Sequence, residues 1–347
     1  MCAAKKMYTL SDIAAELGVN KATVSKAISG KGNLSDETRA RILEFTKKCG
    51  YKPNAVAQSL AHSRSFNIGL MMPKPTGYGG GSFFDECLSG VYRAASDNGY
   101  DVLLIMGDEM RTADLSRLID NRKIDGVIAM RALVKSPITE FLKKKQFPFV
   151  LIGPSADGDV ISVDNNNQAA CFELTSQIIH GGAEHLILLG GSENHCVTLS
   201  RLYGFRAACR EAGLPQQREV LNIGGREDLL KMLPWDALLN ADCAVCMDEY
   251  ICNLLMAQLR VRNVRVPDDL QVVSLYDSAI LENNTPSVTS IHFHAEQLGN
   301  AAGKKLIAVL EHQCGRSAPM PGYEIVYRDS TRNKTITQEE LSSYETK

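Results

Sequence analysis

The chain has 347 residues, 44% apolar and 22% charged, with a formal net charge of −2. That length exceeds what one compact core accommodates and calls for two or three domains of ordinary globular composition. No apolar run reaches the ~18 residues of a membrane span. The start, MCAAKKMYTL, has two lysines but no apolar stretch after them, so neither an anchor nor an export signal is expected and the chain reads as cytoplasmic.

In chain order, Leu10, Ile13, Ala14 and Leu17 recur at helical spacing, which predicts a short amphipathic helix capped by Thr9 or Ser11 and stopped at Gly18. Val19 packs at the turn. A second helix starts near Asn20, with Val24, Ala27 and Ile28 facing inward and Lys21, Ala22 and Lys26 outward. Two short helices across a tight glycine turn make a helix-turn-helix, whose second helix reads the major groove of double-stranded DNA. Asn20, Lys21 and Lys26 have donors for base edges, and Ala22 has a methyl for apolar contact with thymine. Thr23 and Ser25 suit phosphate contacts that set register. Thr9, Asn33 and Tyr51 complete the candidate DNA contacts of this head.

After the loop Ser29-Gly-Lys-Gly-Asn33, a third helix opens at Ser35 with an acidic first turn that complements the helix dipole. Ala40, Ile42, Leu43 and Phe45 are expected to face inward, and Gly50 to end the helix. A break at Tyr51-Lys-Pro leads to Asn54–Leu60, long enough for only two turns. A helix that short is marginal alone in water and orders only when something packs against it. Residues 1–65 hold eleven Lys/Arg against five Asp/Glu, a net of +6, which leaves −8 for the remainder. A basic head on an acidic body suits phosphate neutralisation.

From Phe66 onward, continuous apolar runs alternate with helix-like segments: 66–73, 100–107, 125–130, 148–153, 185–191, 243–247 and 270–277. Such runs predict parallel sheets covered on both faces, with ligands outside the carboxyl ends of the strands. Ten cysteines are scattered through the chain, and Cys243-Ala-Val-Cys246 is the only CxxC. It reads as a buried strand, with no second Cys/His pair at ligand spacing, so no metal and no cofactor are expected. Gly79-Gly80-Gly81 lacks the Lys-Ser/Thr of a phosphate loop and reads as a flexible loop at a cleft mouth. The polar tail, 331–347, has no leucine heptads.

The run VNKATVSKAISGKGNLSDETRARILEFTKKCGYKPNAVAQSLA resembles the head of the lactose-repressor/galactose-repressor (LacI/GalR) family of bacterial transcription regulators. In that family two subunits pair their hinge helices and push an apolar side chain into the minor groove. The resemblance gives Leu60 that role, with Ala57 beside it and Asn54 at the hinge start. A wedge of this kind exchanges unstacking energy for a larger contact.

More loosely, Ser82-Phe83-Phe84, Asp125-Gly126-Val127-Ile128, Val163-Asp164-Asn165, Arg201-Leu-Tyr-Gly204-Phe205, Val266-Pro267-Asp268 and Pro286-Ser-Val-Thr289-Ser290 fall in the family's order. The resemblance then covers about residues 8–330. It implies an all-α helix-turn-helix head with a hinge helix, followed by an α/β core like periplasmic binding proteins, built of two parallel-sheet subdomains. Its domains would be a head at 1–52, a hinge and linker at 53–65, a core at 66–330 and the tail. The N-subdomain would take about 66–163 and 292–322, and the C-subdomain about 164–291 and 323–330, with crossovers near Asp164, Thr289 and Tyr323. An effector, a sugar or glycoside, would bind in the cleft between them.

The resemblance assigns Arg201 to effector hydroxyls or carboxylates. Many relatives carry Asn-Asp where Met247-Asp248 stands here, and Gly-Phe-Asp-Asp where Ser274-Leu-Tyr276-Asp277 stands. Asp248, Tyr276 and Asp277 are therefore candidate effector contacts, with Phe83 and Phe293 as candidate pocket aromatics; core packing is the alternative for the rings. The function implied is a dimeric, non-enzymatic repressor of a carbohydrate operon acting at a pseudo-palindromic operator, since hinge pairing and a two-fold operator both require two heads. The competing readings are a solute-binding protein that has acquired a head, and an enzyme built on the α/β core. No nucleophile elbow or metal-ligand spacing supports the latter.

Overall fold

The computed structural model describes residues 8–30, 32–51, 64–73, 81–107, 112–155, 157–313 and 321–332. Asn54, Ala57 and Leu60, the glycines at 79 and 80, and the tail beyond 332 lie outside the described residues. The chain divides into two units, Met1–Arg64 and Ser65–Lys347.

In the first unit, α1 (Leu10–Leu17), α2 (Lys21–Ser29) and α3 (Asp36–Cys49) enclose a small core of Ile13, Ala14, Val24, Ala27 and Ile42. Each helix has a side-chain cap. Thr9 and Asp12 form a reciprocal capping box on α1, Asn20 accepts from the Thr23 amide on α2, and Ser35 accepts from the Thr38 amide on α3. Gly18 and Gly50 end α1 and α3 at φ 65°, a left-handed conformation that costs glycine nothing. Arg41 donates to the Leu17 carbonyl at 2.9 Å and ties α3 to the end of α1.

One expectation for α3 is corrected. Ala40 and Leu43 are exposed, Leu43 by 44%. The inward stripe is Ile42, Phe45, Thr46 and Cys49, a strict i, i+3, i+4, i+7 row that places Leu43 about 100° away around the helix.

The second unit begins where Asp125 accepts the amides of Ser65 and Phe66 at 2.7 and 2.8 Å. Its first sheet has five parallel strands in the order β2-β1-β3-β4-β5: β1 (Asn67–Pro73), β2 (Asp101–Gly107), β3 (Gly126–Ala129), β4 (Phe149–Ile152) and β5 (Ser162–Val163). The helices between these strands are α4 (Gly81–Asp97), α5 (Ala113–Asp120) and α6 (Pro137–Lys145). Gly81 is thus the first residue of a helix rather than part of a loop.

After β5 the chain builds a second sheet with α7 (Asn167–His180), β6 (Leu186–Leu189), α8 (Cys196–Glu211), β7 (Arg218–Val220), α9 (Arg226–Met232), α10 (Trp235–Leu239), β8 (Cys243–Cys246), α11 (Glu249–Val261), β9 (Gln271–Ser274), α12 (Ala279–Glu282) and β10 (Thr289–Phe293). It then returns to the first sheet as α13 (Ala295–Leu310) and ends in the second with β11 (Tyr323–Val326). The second sheet has the order β11-β10-β9-β8-β6-β7, and only β11 runs antiparallel to its neighbour. The four residues of β6, of β8 and of β9 are buried throughout, Cys243 and Cys246 among them, because helices cover both faces.

The chain changes sheet at 164–166, at His294 and between α13 and β11. The second passage lies at His294 rather than at Thr289, because Ile291 and Phe293 are still buried in the second sheet's core. The return helix α13 packs on α4 with backbones almost touching. A Cβ on Gly90 would lie 1.9 Å from the Glu296 carbonyl oxygen, and one on Gly299 2.1 Å from that of Cys87. No helix among the described residues is long and apolar enough to cross a membrane.

Candidate functional site

On the head, α2 buries Val24 and Ala27 and exposes Lys21, Ala22, Ser25 and Lys26. The four exposed residues follow from the same periodicity that buries the other two, so the core of the head and its outward row are set together. Asn20 and Thr23 are more constrained. The Asn20 side-chain oxygen accepts both the Thr23 amide at 2.8 Å and the Thr23 hydroxyl at 2.9 Å. Thr9 likewise donates its hydroxyl to Asp12 at 2.7 Å. Their first task is to hold helix starts, which fixes how α1 and α2 present their amino ends. Asn33 is exposed, whereas Tyr51 packs on the head core and burial pushes its phenol pKa up. A Cβ on Gly32 would meet the Lys26 side chain at 3.1 Å. Gly32 therefore lies close against the Lys26 stem.

In the core, candidate effector residues gather where Phe83 of the first subdomain meets Tyr276 of the second, with Phe293, Arg201 and Asp248 beside them. Arg201, on α8, is 9% exposed. Its Nε donates to Asn167 Oδ1 at 3.0 Å, its Nη1 donates to the Met247 carbonyl, and its guanidinium carbon lies 6.0 Å from the Phe293 ring centroid. Burial pushes the Arg201 pKa down, opposed first by the charge of Asp248.

Asp248 caps α11 by accepting the Ile251 amide at 2.8 Å. Burial pushes its carboxyl pKa up against that hydrogen bond and the Arg201 charge. A cation and an acid whose charges act on each other in a largely buried site offer a donor and an acceptor to hydroxyl groups.

The aromatics form a file. Tyr276 stacks on Phe293 at 6.4 Å with 16° between planes and meets Phe83 edge-on at 5.6 Å. Tyr276 and Phe293 are 7% and 2% exposed and belong to the C-subdomain core. Phe83 packs against the cores of both subdomains and closes the file from the opposite side.

Asp277 departs from the group. Its carboxylate accepts from Arg328 Nη1 at 2.7 Å and Nη2 at 3.1 Å, and from the Ser290 hydroxyl. Burial works to raise its pKa, but Arg328 and Ser290 together hold the carboxyl below the usual range. Both oxygens are engaged by the frame of the second sheet, while its charge also reaches Glu86 on α4 of the other subdomain.

Sequence reasoning overlooked two cleft residues. Arg131 follows the end of β3 and lies 5.3 Å from the Phe84 ring centroid, and its charge acts on both Asp248 and His195. His195, just before α8, is pulled to a pKa of about 4 by burial and then by Arg131. The signal for Arg131 was its place immediately beyond a strand's carboxyl end, where such sheets bind ligands. The loops carrying these two residues also join the subdomains. Leu133 and His195 form an antiparallel bridge, the Val134 amide donates to the Asn194 carbonyl at 2.8 Å, and the Cys196 amide donates to the Ala132 carbonyl at 3.0 Å. Among the described residues no group of three or more His, Cys, Asp or Glu could hold a metal ion.

Comparison with known proteins agrees with this division of labour. Residues 9–54 match the model of bacterial regulatory proteins of the lacI family, and residues 175–331 match a periplasmic binding protein-like domain. The chain is 32% identical over 205 residues to the HTH-type transcriptional regulator MalR of Streptococcus pneumoniae, covering 58% of this chain and 62% of that protein. It is 26% identical over 337 residues to catabolite control protein A of Priestia megaterium, covering 93% of this chain and 99% of that one. The lac repressor dimer bound to operator and the anti-inducer ONPF shares the fold at a TM-score of 0.76 and 18% identity, over 94% of this chain and 99% of that chain. Head and sheets agree with these matches: the chain joins a lacI-family helix-turn-helix head to a periplasmic binding protein-like domain, and its relatives are regulators of that family.

Proposed function

We propose that this chain is a dimeric, sequence-specific transcriptional regulator acting in the cytoplasm, a repressor of a carbohydrate-utilisation operon. Its hold on operator DNA is set by a small sugar-like effector in the cleft between the subdomains. The observation that carries the DNA reading is the exposed row Lys21, Ala22, Ser25 and Lys26 on a helix whose opposite face is locked into a fully capped three-helix head. Base-edge donors and phosphate-contacting hydroxyls are thereby presented from a rigid element. The domain division that accompanies this reading is head 1–52, hinge 53–65, core 66–330 and tail 331–347, with Leu60 as the minor-groove wedge beside Ala57 and Asn54.

For the effector, Arg201 and Asp248 would hydrogen-bond to ligand hydroxyls, and Phe83 and Tyr276 would offer apolar walls. Two cleft geometries connected by three passages can couple this site to the head only if the effector prefers one of them. The dimer draws support from β2, an edge strand that exposes Leu104 by 47% and Met106 by 56%. An apolar open edge of this kind calls for a cover, and a second copy supplies one. The reading makes the chain a binding protein rather than an enzyme.

Gel shift against fragments of its own promoter region tests the proposal. Binding should be saturable and should weaken steeply with salt, as release of counterions from phosphates requires. Salt-insensitive binding, or no preference for any promoter fragment over random DNA, would overturn it.

A further inference from the structure

A cavity of about 700 Å³ lies on the flank of the core, with one wall from each subdomain. Thr139, Glu140 and Lys143 of α6 and the loop bearing Asp157 form the first wall, and α8 forms the second through Cys196, Ser200 and Tyr203. The bridge between Leu133 and His195 runs along its edge. Cys196, Ser200 and Tyr203 occupy one face of α8, roughly opposite the face that carries Arg201 inward, by 100° per residue. The cavity and the Arg201 side of the cleft are therefore two different places.

The lining has a definite chemistry. Lys143 and Asp157 pair at 2.5 Å and cancel each other, which leaves Glu140 as the remaining charge on these walls. An anionic ligand meets no cation to neutralise it. Tyr203 is 54% exposed and presents its ring to the cavity. A cavity with a ring and a hydroxyl on one wall and a carboxylate and a hydroxyl on the other suits a pyranose, whose C–H face can stack on the ring while its hydroxyls donate to the carboxylate.

We propose that this flank cavity is a second ligand site, separate from the cleft, which takes a neutral saccharide stacked on Tyr203 and hydrogen-bonded by Glu140, Thr139 and Ser200. The site does not rest on the operator reading. Because its walls belong to both subdomains, a ligand there binds the bridged arrangement best and shifts the population toward it.

The Cys196 thiol lines the cavity and reports on it. Full-length protein is alkylated with N-ethylmaleimide, and modification of Cys196 is followed by peptide mass. Maltose, cellobiose and raffinose are the neutral probes and glucose 6-phosphate is the anionic control. At least one neutral probe should slow the reaction saturably, by roughly tenfold at ten times its dissociation constant. The slowing should persist in Arg201→Ala, where the cleft is disabled, and vanish in Tyr203→Ala, whose exposed ring can be removed without opening the core. The proposal is overturned if no neutral probe protects, if glucose 6-phosphate protects equally, if protection survives Tyr203→Ala, or if it is lost in Arg201→Ala.

Discussion

Asp277→Asn separates a frame residue from a ligand contact. The Asp277 and Arg328 side chains are 11% and 13% exposed, and the pair makes two hydrogen bonds, at 2.7 and 3.1 Å. Removing one partner of a buried ion pair costs about 3–5 kcal/mol, because the other charge stays buried without compensation. Asn retains a carbonyl oxygen that accepts from Arg328 or Ser290, so about 2–4 kcal/mol is the expected loss. At about 2–4 °C per kcal/mol for a domain of this size, the melting temperature should fall by roughly 4–16 °C.

The effect also has a pH signature. The folded-state pKa of Asp277 is depressed, so the pair's contribution is complete above the ordinary carboxylate pKa and disappears as pH falls through the lowered folded value. Wild type should therefore lose stability below roughly pH 4, and Asp277→Asn should lose less over the same window. Urea titrations at neutral and acid pH measure both quantities. Replacing both partners with apolar residues, Asp277→Leu with Arg328→Met, should recover most of the loss. A stability for Asp277→Asn within about 0.5 kcal/mol of wild type, combined with lost effector response, would refute the frame assignment and restore Asp277 as a contact.

Three further outcomes are expected. Arg201→Ala should bind operator with unchanged affinity while losing its response to effector, read by gel shift with and without ligand. It should also melt lower, since it strands the Asn167 and Met247 acceptors at about 1–3 kcal/mol each. Gly204→Ala should destabilise the core by several kcal/mol and leave the head folded, because a Cβ there would lie 2.3 Å from the Gln168 carbonyl oxygen on α7; two separate melting transitions would report it. Leu60→Ala should weaken specific operator binding without affecting effector binding, and equal operator affinity would remove the wedge role.

The head was legible because its helices are local objects. Thr9, Asn20 and Ser35 cap helices by contacts three residues away, and Gly18 and Gly50 stop two of them, so sequence spacing and structure carry the same information. The one slip, at Ala40 and Leu43, came from treating apolar identity as burial where the helical phase decided otherwise. The long strands were legible as apolar runs, whereas β5 and β7, of two and three residues, are too short to show a pattern.

The cleft was only half legible. Arg201, Asp248, Tyr276, Phe83 and Phe293 come from four separate elements and a turn, and nothing local to any of them says which face the others. Asp277 shows the limit most clearly. One residue beyond Tyr276, its carboxylate is met by Arg328, which is 51 positions away in the chain.

The sequence by itself determined the capped helix-turn-helix with its outward row, the alternation that demands covered parallel sheets, and the basic head on an acidic body. Only the tertiary structure decided which polar groups are spent on holding the fold and which remain to meet a ligand. Hydrogen bonds and ion pairs saturate, and what saturates Asp277 or Arg201 is set by three-dimensional neighbours, 34 to 51 positions away, that spacing along the chain does not encode.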